Sequence, residues 1–258
     1  MQHAKDRFSL EGKTAIVTGG SGLYGQQITR GLAEAGTRTI IASRNLAHIS
    51  QFADELNADG FCAHAHQLDQ ADPDSIRALF EWSTNHIGKI DILVNNAVSR
   101  PMKDWDDDLS KFQDSIQTNL TGILEMTRVF GNHMAANKQG SIINIGSIQG
   151  MVGPDYSLYE GLNWNLPPDY YIHKGGMIQL TRFAAAKLGP NNVRANTISP
   201  GGFYTGQNQT FVDRYNKRTF LGRMANQEDL MGAIIFLASD ASSYITGSNL
   251  VVDGGYTA

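Results

Sequence analysis

A glycine-rich turn directly after an apolar strand constrains this chain more than any other sequence feature. The segment KTAIVTGGSGLYG predicts a buried strand at Thr14–Thr18, a tight turn, and a helix over Gly25–Ala35. Glycines at Gly19, Gly22 and Gly25 let the backbone turn, approach a ligand closely and pack the helix on the sheet. The N-terminus of such a helix binds phosphate groups. The segment therefore predicts a Rossmann-like dinucleotide site in an α/β sheet.

Short apolar runs alternate with longer helical patterns along the rest of the chain, as in parallel βαβ units. The predicted strands are Thr14–Thr18, Thr39–Ala42, Phe61–His66, Ile90–Val94, Ser141–Ile145, Val193–Ser199 and Asn249–Val252. The sequence has no repeat, low-complexity tract or long linker. We therefore expect a single Rossmann-like domain over residues 1–258, with a doubly wound parallel sheet of about seven strands flanked by helices.

Composition excludes several other classes of protein. The 258 residues are 41% hydrophobic with a net charge of -4, so we expect no nucleic-acid or membrane partner. The single cysteine excludes an internal disulfide, and no apolar run reaches the roughly 18 residues of a membrane span. No metal site is expected, because His64 and His66 share a strand face without a third ligand. A cytoplasmic enzyme for a small molecule is the expectation.

The second informative pattern is Tyr170-x-x-x-Lys174, preceded by Ser147 and Asn119. Residues four apart lie on one helix face, so the Lys174 ammonium lies beside the Tyr170 phenol. A nearby cation favours the phenolate and makes the tyrosine a usable general acid or base. These are the side chains that hydride transfer between an alcohol and a ketone requires around the oxygen atom.

Several motifs in a fixed order resemble the short-chain dehydrogenase/reductase family from about Leu10 to the carboxyl terminus. They are TGGSGLYG, QLDQ, NNAV, the Asn119 and Ser147 segments, YxxxK, ISPGGFYT and VVDGG. The resemblance implies a nicotinamide cofactor, catalytic roles for Asn119, Ser147, Tyr170 and Lys174, and a homo-oligomer, either a tetramer or a dimer. In family members the Asn119 carbonyl holds a water next to Lys174, and Lys174 holds the cofactor ribose.

The cofactor-binding residues that the resemblance and the strand ends imply are numerous. Besides Tyr170 and Lys174 they are Gly19, Ser21, Gly22, Leu23, Tyr24, Ser43, Arg44, Asp69, Asn96, Ala97, Pro200, Gly201, Phe203 and Thr205.

Arg44 at the end of the second strand decides the expected cofactor. Enzymes that use NAD place an acid here for the ribose 2′-hydroxyl, whereas this chain has Ser43 and Arg44. An arginine can grip the 2′-phosphate of NADP with paired donors. NADP(H) is therefore the expected cofactor; NAD(H), with a solvated Arg44, is the alternative.

An insertion between Ser147 and Tyr170 bears on the substrate. The segment 148–169 is longer than the family norm and has its ends at the active site, so we expect it to contact substrate through residues such as Gln149 and Tyr156, with Tyr159, Trp164 and Asn165 as further candidates. A surface loop packed on its own aromatics is the alternative. Arg100 follows NNAV and can pair with an anionic substrate, although such residues are often only solvated.

A polar lid, residues 201–222, and the polar insertion favour a sugar, sugar acid or polyol over an apolar substrate. A 3-ketoacyl-carrier-protein reductase is the enzymatic alternative, and a non-catalytic cofactor-binding regulator is the alternative from another class. His173 lies within YxxxK but points in another helical direction than Tyr170, so it is assigned no role.

Overall fold

Seven parallel strands form one sheet in the computed structural model, which describes residues 3–258. Their order across the sheet is β3-β2-β1-β4-β5-β6-β7. The strands are β1 Thr14–Thr18, β2 Arg38–Ser43, β3 Cys62–Gln67, β4 Ile92–Asn95, β5 Gly140–Ile145, β6 Val193–Pro200 and β7 Asn249–Val252. The predicted fold class is confirmed, and the strand order reverses between β1 and β4, where ligands bind in such sheets.

Eight α-helices flank the sheet in the described residues. They are α1 Leu23–Glu34, α2 Leu46–Ala58, α3 Pro73–His86, α4 Leu109–Ile116, α5 Gly122–Ala136, α6 Pro168–Leu188, α7 Gln209–Arg218 and α8 Met231–Ala238. A π-helical turn, Gln117–Thr121, joins α4 to α5. None of the helices in residues 3–258 is long and apolar enough to cross a membrane.

Alternate side chains of the central strand enter two separate cores. Ile16 of β1 packs with α3, α5 and α6 on one face, whereas Ala15 and Val17 pack with α1 and α8 on the other. All three side chains are fully buried. A strand covered on both faces has to be apolar throughout, which is why TAIVT shows no polar alternation.

Element boundaries differ from the predictions by one or two residues. Helix α1 starts at Leu23 and not at Gly25, because the Gly22 carbonyl already accepts a helical hydrogen bond from Gln26 N at 2.9 Å. Strand β4 starts at Ile92 and not at Ile90. Before it, the Asp91 carboxylate accepts a hydrogen bond from Thr14 N at 3.0 Å. Local hydrogen bonds of this kind have no hydrophobic signature.

We predict that Gly25→Ala strongly destabilises the fold. A Cβ atom there would overlap the Gly19 carbonyl oxygen and lie 2.9 Å from the Gly20 carbonyl carbon. Backbone cannot yield as a side-chain tip can, so we expect a loss of about 3 kcal/mol in the free energy of unfolding, measured in urea. The control is Gly189→Ala, which has φ -53° and open space around it. It should be neutral or gain up to about 1 kcal/mol. Equal effects would contradict the packing argument.

Candidate active site

The carboxyl edge of the sheet brings the predicted catalytic side chains together. Ser147 follows β5, while Tyr170 and Lys174 lie on the first turns of α6. Lys174 is 3% exposed, and its Nζ donates to the Ile145 carbonyl at 2.5 Å. The same Nζ lies 5.7 Å from the Tyr170 ring centroid. The sequence-predicted pairing of the ammonium with the phenol is therefore present in the structure.

Two cations act on the Tyr170 phenol. Burial alone would raise its pKa, but the charges of Lys174 and Arg100 and hydrogen bonds with Ser147 and Arg100 lower the pKa below the ordinary value. The Arg100 guanidinium carbon stands 4.3 Å above the ring centroid, within cation–π range. Burial and the Arg100 charge lower the Lys174 pKa as well, against the opposing effect of Tyr170. The arrangement suits a tyrosine that exchanges a proton.

Ser147 and Gln149 lie at the start of the segment that follows β5. The Ser147 Oγ accepts a hydrogen bond from Gln149 N at 3.1 Å, and Gln149 Nε2 donates to the Tyr171 hydroxyl at 3.0 Å. Ser147 is 7% exposed, yet both it and Gln149 line the cleft. The hydroxyl group of Ser147 can therefore donate its hydrogen to an oxygen atom that lies between Ser147 and Tyr170.

Asn119 does not line the cleft but lies directly behind it, in the π-helical turn. Its Oδ1 accepts from Ser99 N at 2.8 Å, and its Nδ2 donates to the Ser99 carbonyl at 2.8 Å. These two bonds fix the loop after β4, which carries Arg100. The side chain of Asn119 therefore positions a neighbour of the reaction centre.

One cleft of about 710 Å³ runs along the carboxyl edge of the sheet from β2 to β6. Every cofactor residue predicted from the sequence lines it. At one end, Arg44 is exposed at the end of β2, and the described part of the chain gives its guanidinium no carboxylate partner. Gly22, the residue before α1, is exposed and lines the cleft.

The loop after β6 closes the other end of the cleft. The Tyr24 hydroxyl donates to the Gly201 carbonyl at 2.7 Å, and its ring meets the Phe203 ring edge-on at 5.0 Å. Burial raises the pKa of Tyr24, so it stays a neutral donor. These two contacts join the start of α1, which follows the glycine-rich turn, to the loop after β6. This cleft has the length, the basic end and the exposed glycine backbone that a dinucleotide phosphate requires.

The 148–169 segment meets the cleft through Gln149, Tyr159 and Trp164, which the sequence offered as substrate contacts, whereas Tyr156 lies outside it. The Tyr156 side chain is 68% exposed, and Asp155 caps the short 3-10 turn that carries it. Phe211 of α7 lines the cleft beside Tyr159 and Trp164. The three ring centroids lie 5.2 to 5.5 Å apart. They form an aromatic wall opposite the catalytic residues.

The same segment also supports structure. Leu158 is 4% exposed in a small core with Phe211 and Tyr215, and Arg214 Nη1 donates to the carbonyls of Leu158 and Glu160. Tyr159 packs against the same core. Shortening the segment would therefore remove core contacts of α7.

The sequence assigned no role to His173 and did not single out Phe211. His173 is fully buried and its ring meets the Tyr170 ring edge-on at 5.1 Å. The position of His173 between two catalytic residues is visible in the sequence. Its side chain, however, contacts α4 and the π-helical turn, which the sequence does not place beside it. Phe211 lies inside a polar segment, QNQTFVDRY, where one aromatic residue carries no positional signal.

Known proteins match almost the whole chain. The family model described as enoyl-(acyl carrier protein) reductase matches residues 21–257. Gluconate 5-dehydrogenase of Gluconobacter oxydans is 33% identical over 98% of this chain and 97% of its own. The 3-oxoacyl-acyl-carrier-protein reductase of Vibrio cholerae is 32% identical over 96% and 98%. A crystal structure of gluconate 5-dehydrogenase from Burkholderia cenocepacia in complex with NADP and tartrate has a TM-score of 0.90 and 34% identity, covering 99% of both chains.

Proposed function

The chain belongs to the short-chain dehydrogenase/reductase family and is an oxidoreductase, and on that premise we propose that it interconverts the alcohol and ketone forms of a sugar acid with NADP(H). The observation that carries the reaction is the Tyr170 phenol held between the cations Lys174 and Arg100 beside the Ser147 hydroxyl. The observation that carries the substrate class is Arg100 facing an aromatic wall within one cleft.

Tyr170 supplies the proton in the reducing direction, and Ser147 donates a hydrogen bond to the same substrate oxygen as negative charge develops on it. The bound nicotinamide supplies or accepts the hydride. In the oxidising direction the Tyr170 phenolate takes the alcohol proton, which the lowered pKa of Tyr170 favours. Lys174 stabilises the phenolate and has further ammonium hydrogens for a ribose hydroxyl. Asn119 holds the adjoining loop in place.

Cofactor phosphates fit the basic and glycine-rich end of the cleft. The exposed Gly22 backbone and Ser21 would hold the pyrophosphate, and Ser43 and Arg44 would hold the ribose 2′-phosphate. Asp69, Asn96 and Ala97 would line the adenine and the cofactor's middle. Thr205, near Pro200 and Gly201, would face the nicotinamide amide.

A carboxylated polyol fits the other part of the cleft. Arg100 and Gln149 offer donors to a carboxylate and to hydroxyl groups, while Tyr159 and Trp164 offer faces for the carbon–hydrogen side of a sugar chain. The relatives named gluconate 5-dehydrogenase support this class of substrate. An acidic acyl carrier protein is a poorer partner, because the acidic run at residues 104–108 is linked to the cleft-lining segment by a hydrogen bond from Asn165 Nδ2 to Asp104 Oδ2.

One catalytic domain over residues 1–258, with 148–169 as substrate segment and 201–222 as lid, is part of the same proposal. A homo-oligomer is supported by exposed apolar side chains on α5 and α6, namely Leu124, Ile172 and Phe183. A cytoplasmic location stays a prediction.

We predict that Tyr170→Phe lowers kcat by roughly 100-fold to 10,000-fold, as expected when a general acid is lost. Only the phenolic oxygen is removed, so NADPH should still bind, as measured by nucleotide fluorescence. Tyr156→Phe, outside the cleft, is the matched control and should keep its activity. Turnover at the unmodified rate in Tyr170→Phe would refute the assignment of Tyr170 as the acid.

Arg44 decides between the two nicotinamide cofactors. Arg44→Ala should lose about 1.5 to 3 kcal/mol of NADPH binding free energy, as for hydrogen bonds to a charged group, and little NADH binding. Arg38→Ala, at the far end of the same strand, should change neither affinity. Equal losses of NADPH and NADH binding free energy in Arg44→Ala would contradict a contact between Arg44 and the 2′-phosphate.

The substrate class is tested by pairing acids with uncharged polyols. We expect NADP-dependent turnover of D-gluconate by the unmodified enzyme, and Arg100→Met should lower kcat/KM for gluconate more than kcat/KM for D-glucitol, by roughly 10-fold to 100-fold. Taking the ratio removes the effect of Arg100 on Tyr170, which both substrates share. An unchanged ratio would show that Arg100 does not bind the carboxylate.

A further inference from the structure

His173 occupies a fully buried polar pocket behind the reaction centre. Its Nδ1 lies 3.3 Å from Asn119 Nδ2 and 3.4 Å from Ser115 Oγ. Ser115 of α4 is itself fully buried, and its Oγ also accepts from Asn119 Nδ2 at 3.1 Å. The reaction assigned to Tyr170 uses none of the polar atoms of His173.

The hydrogen bonds of Asn119 fix the orientation of its amide. Ser99 N can only donate, so the Asn119 atom that it contacts at 2.8 Å is the amide oxygen. The amide nitrogen therefore faces Ser115 Oγ and His173 Nδ1. Burial and the charges of Lys174 and Arg100 lower the pKa of His173 to about 3, against the opposing effect of a hydrogen bond with the Asp169 backbone, and this lowered pKa favours the neutral ring.

Three buried polar atoms on this side of α6 have no hydrogen-bond partner within the described residues: Nε2 of His173 and both carboxylate oxygens of Asp169. Asp169 is 0% exposed and precedes His173 by four residues, so the two side chains lie on one helix face. The structure therefore shows no hydrogen bond between these atoms, and the contacts through which His173 reaches the site are those of its Nδ1 and of its ring.

The contacts of His173 form a closed ring that returns to Tyr170. The His173 ring touches Tyr170 edge-on and faces the Asn119 amide; that amide holds the Ser99 backbone on both sides. The next residue, Arg100, places its guanidinium over the Tyr170 ring. A displacement of Asn119 would therefore move Arg100 relative to the phenol.

We propose that His173 is a positioning residue, whose Nδ1 accepts a hydrogen bond from the Asn119 amide and, through Ser99, keeps Arg100 over Tyr170. The proposal rests on the proposed function of Tyr170 and Arg100 and adds one residue that touches neither substrate nor cofactor.

The pKa of Tyr170 is the quantity that His173 controls in this proposal. The titratable and charged groups around Tyr170 are Lys174, His173 and Tyr171 on α6, Arg100 on the loop after β4, and Tyr24 on α1. Of the two cations, Arg100 is exposed and held through its backbone, whereas Lys174 is buried. Loss of the His173 acceptor should therefore weaken the effect of Arg100 and raise the Tyr170 pKa.

The test is the pH dependence of gluconate oxidation with NADP+ in His173→Leu and His173→Asn. Oxidation requires the phenolate, so its rise with pH should move to higher pH in His173→Leu, by roughly one unit. The KM for gluconate should increase roughly threefold to tenfold, and NADPH affinity should stay unchanged. His173→Asn places an amide oxygen near the Nδ1 position and should restore most of both properties.

Further variants separate positioning from general stability. Leu188→Ala removes core packing at the far end of α6 and should lower Tm without moving the pH profile. His173→Gln, whose amide reaches the Nε2 position, should shift the profile as His173→Leu does and replaces that variant if it does not fold.

An unmoved pH profile and KM in the folded His173→Leu or His173→Gln variant would overturn the proposal. Inactivity of the unmodified enzyme on gluconate and related acids would instead contradict the proposed function, so the two failures are distinguishable.

Discussion

The active site depends on how the buried ammonium of Lys174 is stabilised. A lysine that is 3% exposed loses most of its hydration, and the Ile145 carbonyl at the end of β5 replaces part of it. The remaining compensation comes from Tyr170, whose phenolate form is favoured by the same charge. Ile145 is the last residue of β5, and Ser147 follows it by two residues. The carboxyl edge of the sheet therefore sets the geometry of the whole site.

Sequence alone predicted the part of the molecule that local periodicity and motif order determine. The seven strands, the helix after the glycine turn and the pairing of Tyr170 with Lys174 each follow from the spacing of residues within one segment. The end of β2 likewise predicted Arg44, because its position follows from the strand alone. What these features share is that each is decided within about ten residues of chain.

Contacts between distant segments escaped prediction for the same physical reason. Tyr156 and Tyr159 lie in one polar insertion, and nothing in their spacing indicates that a capped 3-10 turn directs Tyr156 outward and Tyr159 inward. Asn119 was expected to act through its backbone, but its side chain also fixes the Ser99 loop. The role proposed for His173 depends on its contacts with Ser115 and Asn119, which are more than 50 residues away in the chain.

In the proposed function, substrate recognition and the packing of the 201–222 lid share residues, which limits how substrate specificity can change. Phe211 packs with Leu158 in a small core and also lines the cleft with Tyr159. A substitution that reshapes the aromatic wall therefore alters the packing of α7 at the same time. Arg100 and Gln149 lie outside that core, on the loops after β4 and β5. Substitutions at these two positions can therefore change the selectivity between carboxylated and uncharged polyols with little effect on the lid. Selectivity for the carbon chain depends on the aromatic wall, so it cannot change without altering the packing of α7.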